Sequence, residues 1–139
     1  MTFDNVPLER LQRIERAMDQ VPFAQLLGIL LERVAPGEAK LRLPVRHDLT
    51  QNHGVVHGGA IASIIDSATA FAVLTLLEPD ERVTTVDLTI SYLRPATKGQ
   101  LFATAQVIRQ GRRLFSVTAQ ATDDEGTLMA TALSTYIKL

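Results

Sequence analysis

The stretch from Gly58 to Leu77 constrains the fold more than any other, because Asp66 is its only charged side chain. Its length approaches the roughly 20 residues that span a bilayer. A carboxylate near the middle of a span costs about 2.5–3.5 kcal/mol on an insertion scale, which argues against a membrane segment. A helix that is apolar nearly all round is instead typical of a protein interior. We therefore expect a buried helix that Glu78-Pro79-Asp80 closes, since proline cannot continue it.

On both sides of this helix, apolar and polar side chains alternate with the period of two expected of half-buried strands. One strand pair around the turn Pro36-Gly37 is predicted before the helix, and four strands are predicted after it. The predicted strands are Gly28–Ala35, Glu38–Val45, Val86–Tyr92, Leu101–Arg109, Arg113–Thr122 and Leu128–Lys138. Short turns at 110–112 and 123–126 join the last three, which indicates an antiparallel meander.

The N-terminal part predicts helix, with an amphipathic segment over Leu8–Gln20 and a further short turn over Phe23–Leu27. The order of elements is typical of the α+β class, with one helix against one curved antiparallel sheet. We expect a single domain over residues 1–139, in which residues 1–20 form an N-terminal helical extension. Small side chains would let the long helix lie close to the sheet, namely Ala103, Ala105, Ala119, Ala121, Ala130 and Ala132.

Composition narrows the function classes. The chain has no cysteine, which excludes disulfides, thiolate catalysis and cysteine-bound zinc. A net charge of -1 provides no global basic field, so no nucleic-acid partner is expected. Met1 to Asp4 do not lead from a basic segment into an apolar run, so we expect no signal peptide, no membrane partner and a cytoplasmic location.

The segment from Gln51 to Asp66 carries the residues best suited to chemistry. Burying a carboxylate is costly unless it is paired or hydrogen-bonded, so the isolated Asp66 favours a functional role over a solvent-facing one. Gly58 and Gly59 disfavour a helix by about 1 kcal/mol each, but they let a ligand approach the backbone closely. Free N–H groups at a helix N-terminus can polarise a carbonyl. The simpler alternative for the two glycines is a flexible turn.

Two histidines, His53 and His57, precede this helix. Two His four residues apart can share a metal on a helix, but Gly54 makes a helix improbable there. No third ligand has a suggestive spacing, so no metal site is expected.

The run His57-Gly58-Gly59, with Asp66 nine residues after the His, resembles hotdog thioesterases of the phenylacetic-acid-degradation (PaaI-like) type. The stretch Thr85–Pro95 and the Gly-Arg-Arg turn of the meander are also similar to that family, and the resemblance covers roughly residue 23 to the C-terminus. It implies a hotdog fold, in which a curved antiparallel sheet wraps a long central helix. It also implies a homodimer with sheets paired edge to edge, and dimer-of-dimers tetramers are common in the family.

The resemblance implies an acyl-CoA thioesterase that hydrolyses an acyl- or aryl-CoA thioester to free acid and CoA. Coenzyme A is then part of the substrate, and no separate cofactor is expected. Gly58 would offer its amide to the thioester oxygen, and Asp66 of the opposite subunit would act as general base or as nucleophile. Thr85 would help to hold the water, and Gln51 would make a second carbonyl contact while His57 orients it.

Further candidates concern substrate binding. Gly59 follows the proposed amide donor, and Asn52 lies one place from the usual Asn position of the family. Members with Gln at the position of Gln51 often carry Glu rather than Asp on the helix, so this chain mixes two patterns and leaves the acyl group open. The basic turn contains guanidinium groups that could meet the CoA phosphates in bidentate geometry, or form only a solvated hairpin tip. These are Arg109, Arg112 and Arg113.

Two other functions are alternatives to hydrolysis. Enoyl-CoA hydratases of the same fold pair a helix Asp with a later His on that helix, and no His follows Asp66 in this chain. A non-catalytic acyl-CoA-binding or regulatory hotdog protein would bind the ligand without turnover. Asp66 within the His-Gly-Gly frame argues against pure binding.

Overall fold

A long central helix lies against one seven-stranded sheet in the computed structural model, which describes residues 2–139. The α+β class predicted from the sequence is confirmed. A single 3₁₀ turn at His47–Leu49 precedes the loop that leads into the central helix. The elements are β1 (Thr2–Phe3), α1 (Leu8–Gln20), α2 (Pro22–Leu27), β2 (Leu30–Ala35), β3 (Glu38–Pro44), α3 (Gly58–Leu74), β4 (Val83–Tyr92), β5 (Gln100–Gln110), β6 (Leu114–Thr122) and β7 (Leu128–Lys138).

The strands follow the order β1-β2-β3-β5-β6-β7-β4 across the sheet. All neighbours are antiparallel except β1 and β2, and β5, β6 and β7 form the predicted meander. The hairpin between β2 and β3 closes at Pro36-Gly37, where Ala35 pairs with Glu38. Gly37 has φ +74°, a conformation that glycine adopts without steric cost. β4 is left at one edge of the sheet, which matters for the site described below.

The predicted alanine face lies between the sheet and α3. Register pairs Ala103 with Ala121 and Ala105 with Ala119, and Ala119 also pairs with Ala132 on β7. These alanines are buried together with large α3 side chains such as Ile64. Since alanine projects little beyond the backbone, this arrangement lets α3 pack closely against the strands.

Helix α3 is shorter than predicted, because it ends at Leu74 and does not continue to Leu77, before the Glu78-Pro79-Asp80 segment. The hydroxyl of Thr75 donates to the Ala72 carbonyl (2.7 Å) and accepts from the Gly37 N–H (2.7 Å). The β2–β3 hairpin is therefore hydrogen-bonded to the end of the helix. Arg10 of α1 also donates to the Thr75 carbonyl at 2.9 Å. These bonds supply partners for groups that a helix end leaves free.

Helix α3 is buried on the side that faces the sheet, as expected of an apolar helix in a protein interior. A stripe along the helix is only partly covered because the sheet packs on one face of it. The stripe contains Ala62, Ser63, Asp66, Ser67 and Ala70. No helix within residues 2–139 combines the length and apolar character that crossing a bilayer requires.

Candidate active site

The N-terminus of α3 is capped by the side chain of His57. Its Nδ1 accepts a hydrogen bond from the Gly59 N–H at 2.8 Å, while the His57 backbone is extended. A neutral imidazole with Nδ1 as acceptor carries its proton on Nε2. His57 is exposed, so this Nε2–H is a donor at the surface of the helix end.

Gly58 occupies the first turn, where an N–H has no acceptor within the helix. No acceptor among residues 2–139 is bonded to it from outside the helix. On the other side, the hydroxyl of Tyr92 donates to the Gly58 carbonyl at 2.9 Å. The Tyr92 ring lies 3.4 Å from the place where a Cβ of residue 58 would stand, and a Cβ on Gly59 would lie 2.9 Å from His57 Nδ1. The two glycines therefore permit close packing at this helix end.

The loop before the helix presents Gln51 in a defined orientation. Its side-chain Oε1 accepts from the His53 N–H at 2.7 Å, and its backbone N–H donates to the Val55 carbonyl at 2.8 Å. With the oxygen engaged, the amide NH₂ of Gln51 is the part that can donate to a carbonyl. Asn52 and His53 are exposed on the same loop.

A depression of about 310 Å³ lies beside this helix end. Gly58, Ile61 and Tyr92 line it together with Arg94, so the start of α3 borders a partly apolar space. A larger groove of about 540 Å³ lies on β4 to β7, is lined by both polar and apolar residues and contains none of the predicted site residues. The smaller depression is the better candidate because chemistry depends on which groups converge and not on volume.

A second cluster surrounds Asp66 near the middle of α3. The hydroxyl of Tyr136 on β7 lies 3.3 Å from Asp66 Oδ1, 3.1 Å from the Asp66 carbonyl and 2.8 Å from Thr69 Oγ1. Thr69 also donates to the Asp66 carbonyl at 2.8 Å. Thr85 stands directly opposite Tyr136 in the β4–β7 pair. Tyr136 therefore lies between Asp66 on the helix and Thr85 on the edge strand.

Burial raises the pKa of Tyr136 to about 12, while the neighbouring hydroxyls of Thr69 and Thr85 act in the opposite direction. The side chain is 2% exposed. The phenol is therefore protonated at neutral pH and provides one hydrogen that it can donate.

The basic turn between β5 and β6 lies at the same end of the sheet as Tyr136, because Phe115 pairs with Tyr136 and the Arg113 carbonyl accepts from the Lys138 N–H. Its three arginines are exposed and make no ion pair with any residue in 2–139. The charges are thus available to an anionic ligand. These side chains are Arg109, Arg112 and Arg113.

The two clusters are separate within one chain. Gly58 and Asp66 are eight residues apart on α3, which corresponds to about 12 Å along the axis at 1.5 Å per residue. One carbonyl group cannot contact both. Tyr92 and Tyr136, which the sequence analysis did not select, are the only two tyrosines of the chain, and each hydrogen-bonds to α3. The chain has only two tyrosines, and both lie on strands that face an apolar helix, which is the sequence feature that could have identified them.

No group of three His, Cys, Asp or Glu side chains in the described part of the chain is arranged to hold a metal ion.

Comparison with known proteins gives a consistent result. The family described as the thioesterase superfamily matches residues 53–130. Human acyl-coenzyme A thioesterase 13 is 30% identical over 118 residues, which cover 83% of this chain and 84% of that protein. A thioesterase family protein from Silicibacter pomeroyi has a similar structure, with a TM-score of 0.89, 30% identity and coverage of 94% and 98%.

The phenylacetic acid degradation protein PaaI of Thermus thermophilus is also similar, with a TM-score of 0.79, 30% identity and coverage of 86% of this chain and all of that one. The resemblance to PaaI-like thioesterases and the hotdog fold are confirmed by these matches. The roles of individual residues stay predictions.

Proposed function

The chain belongs to the thioesterase superfamily, and we propose that it hydrolyses an acyl- or aryl-CoA thioester to a free acid and coenzyme A. The observation that carries this proposal is the free N–H of Gly58 at the capped end of α3, beside a depression large enough to admit an acyl group. The similarity to a human acyl-coenzyme A thioesterase supports the substrate class.

The first requirement of the reaction is a polarised thioester carbonyl. The N–H of Gly58 lies at the positive end of the helix dipole, and it would donate to the carbonyl oxygen. The NH₂ of Gln51 would provide a second donor, since its oxygen is held by the loop. His57 keeps the helix end in place through Nδ1 and has its Nε2–H free to orient Gln51 or the substrate. Gly59 and Asn52 would line the path by which the thioester reaches the Gly58 N–H.

The second requirement is an attacking oxygen, which Asp66 would supply in one of two ways. As general base it takes a proton from water, whose oxygen adds to the carbonyl carbon, and the C–S bond then breaks to release the CoA thiol. As nucleophile its carboxylate displaces the thiol to give an anhydride, which water hydrolyses. Thr85 would position the water in the first case. Neither route needs a metal or a cofactor beyond the coenzyme A of the substrate.

The third requirement is a second copy of the chain. The spacing of about 12 Å between Gly58 and Asp66 means that one active site would combine Gly58 of one subunit with Asp66 of another. The edge strand β4 supports this homodimer, because it pairs only with β7 in the described chain and exposes Val86 (55%) and Tyr92 (52%). Such an unprotected edge is a template for pairing with another strand. A dimer-of-dimers tetramer is a further part of the proposal.

The basic turn would meet the phosphates of CoA, since its three arginines have no carboxylate partner within residues 2–139. The turn lies at the Asp66 end of the sheet, so it would belong to the same subunit as the acid. A cytoplasmic location completes the proposal.

The decisive experiment measures free thiol release from a panel of acyl- and aryl-CoA thioesters by the wild type, Asp66→Ala and Asp66→Asn. We expect wild-type turnover and a loss of about 10²- to 10⁴-fold in both variants, which keep the wild-type thermal transition. Binding of CoA thioesters without wild-type turnover would reject hydrolysis in favour of a binding role. A variant that hydrolyses the substrate at the wild-type rate would reject the role of Asp66.

Mixed dimers test the shared site. A chain with Asp66→Asn and a chain with Gly58→Pro would each be inactive alone, but a mixed dimer would contain one intact site. Random mixing by co-expression is expected to restore about a quarter of the wild-type activity, because half of the dimers are mixed and half of their sites are intact. A mixture no more active than its components would contradict the two-subunit site.

A further inference from the structure

We propose that Tyr136 is a positioning residue, which holds the carboxylate of Asp66 in its working orientation on the side of the helix that faces Thr85. This inference rests on the proposed role of Asp66 in hydrolysis. Tyr136 lies on β7, outside the sequence motifs. Its proposed role predicts a change in the kinetics and also a change in the carboxylate band of Asp66, which can be measured without turnover.

Tyr136 lies between two predicted site residues. Its hydroxyl lies 3.3 Å from Asp66 Oδ1, on the helix side. On the sheet side, Thr85 is the direct cross-strand neighbour of Tyr136. Tyr136 is therefore the residue that stands between the acid on α3 and the predicted site residue on β4.

The hydroxyl hydrogens of the cluster can be assigned consistently. Thr69 Oγ1 lies 2.8 Å from both the Asp66 carbonyl and the phenol oxygen, so its single hydrogen can go to either. When Thr69 donates to the phenol oxygen, the phenol hydrogen is left for Asp66, whose carbonyl lies at 3.1 Å and whose Oδ1 lies at 3.3 Å. The phenol is thus placed to donate to the carboxylate of Asp66.

Tyr136 is held more rigidly than Thr85. The edge strand β4, which carries Thr85, has one strand neighbour, whereas β7 lies between β6 and β4 and is paired on both sides. Tyr136 is 2% exposed, and Phe115 of β6 is its buried cross-strand neighbour. A hydroxyl on such a strand is well placed to fix the carboxylate of a partly buried helix residue, because its own side chain has little freedom to move.

A purely structural role is the alternative to be tested. The bonds from Tyr136 to Thr69 and to the Asp66 carbonyl would tie α3 to the sheet whether or not the carboxylate is used. Such a tie would affect stability alone. Positioning would in addition affect the state of the carboxylate and the rate of the step in which Asp66 takes part.

The test compares Tyr136→Phe with the wild type in two measurements. In steady-state kinetics we expect kcat to fall about tenfold to a hundredfold, as for loss of one hydrogen bond to a charged group, while KM changes little. In the background of Asp66→Asn, the Tyr136→Phe change is expected to cause no further loss, because the two residues act as a unit. Additive losses, or an unchanged kcat in Tyr136→Phe, would overturn the proposal.

The second measurement does not require a known substrate. The infrared difference spectrum between the wild type and Asp66→Asn isolates the carboxylate stretching band of Asp66. We expect this band to shift when Tyr136→Phe removes the donor, and an unmoved band would overturn the proposal even if no thioester is turned over. Thr69→Val provides the matched control, since it removes a bond to the same phenol without removing a donor to the carboxylate. We expect Thr69→Val to lower the thermal transition temperature about as much as Tyr136→Phe does. Its loss of kcat and its shift of the carboxylate band should both be much smaller.

Discussion

At the N-terminal end of α3 the group suited to chemistry is a backbone amide, that of Gly58, whereas eight residues along the same helix it is a side chain, that of Asp66. The amide is placed by the helix itself, by the His57 cap and by the Tyr92 contact with the Gly58 carbonyl. The carboxylate is placed by the hydroxyl of Tyr136, which the sheet presents.

One helix thus holds two parts of the candidate site, an amide half-site at Gly58 and an acid half-site at Asp66, and we expect the two to respond to different substitutions and conditions. A backbone donor depends on φ, ψ and local space, so substitutions that add atoms or remove an N–H should harm it most. A side-chain acid depends on neighbouring hydroxyls, so loss of hydrogen-bond donors and changes of pH should harm it most. The four predictions below test this difference, in order of decreasing expected effect.

Gly58→Pro should harm the amide half-site most. Proline is well accepted at the first helical position, and the extended backbone of His57 (φ -62°, ψ 135°) suits a residue before proline. The change therefore removes the N–H while the helix keeps its start. We expect kcat to fall about 10²- to 10³-fold, as for loss of one oxyanion donor.

The matched control for this change is Gly58→Ala, which keeps the N–H and places a Cβ 3.4 Å from the Tyr92 ring. It should lose much less activity in the same assay of thiol release. Equal activity of the two variants would contradict the role of the amide.

The acid half-site should respond to alkaline pH through Tyr136. The folded-state pKa of Tyr136, about 12, exceeds the ordinary value of 10.0, so the folded protein binds the phenol proton more tightly than the unfolded chain does. The resulting contribution to stability is fully present below pH 10. It is lost as the pH rises from 10 to 12. The loss corresponds to about 2–3 kcal/mol of the free energy of unfolding, at 1.36 kcal/mol per pKa unit. Urea unfolding at pH 9, 10, 11 and 12 measures it.

Tyr136→Phe serves as the reference for this titration, since it has no phenol to ionise. We expect its stability to decline less steeply than that of the wild type over the same range. Parallel curves for the two proteins would show that Tyr136 does not contribute.

Gly59→Ala should weaken the amide half-site through the cap. The added Cβ would lie 2.9 Å from His57 Nδ1, so the imidazole must move and its bond to the residue 59 N–H is lost. Loss of an N-cap costs about 1 kcal/mol, which a thermal or urea unfolding curve detects. His57→Asn keeps a capping acceptor and should retain more of this stability, whereas a Gly59→Ala protein as stable as the wild type would argue that the cap contributes nothing.

Tyr92→Phe should have the smallest effect. It removes the bond of 2.9 Å to the Gly58 carbonyl but keeps the ring that packs against this residue. A neutral hydrogen bond contributes about 0.5–1.5 kcal/mol net, and Tyr92 is half exposed, so we expect a loss of kcat/KM of no more than severalfold. A loss as large as that of Gly58→Pro would show that the phenol has a direct part in the reaction.

Local patterns were sufficient for most of the fold. The alternation that predicted Leu128–Lys138 matches β7 to the residue, and the turn at Pro36-Gly37 lies where predicted, because both depend on neighbours in sequence. The end of α3 was misplaced because the hydroxyl of Thr75 is engaged by Gly37, which is distant in sequence. The start of β4 at Val83 and its irregular register near Val86 likewise depend on pairing with β7.

For the candidate site, the sequence by itself determined which residues are chemically suited to it, because an isolated acid, a pair of glycines and a histidine at a helix start are visible in the order of residues. It also determined that Gly58 and Asp66 lie on one helix and therefore about 12 Å apart. Only the tertiary structure decided which side chains surround them. Tyr92 and Tyr136 reach α3 because β4 and β7 pair with each other and pack beside the helix. In a hairpin the turn fixes the register, but β4 and β7 are separated in sequence by β5 and β6, so no turn sets their pairing.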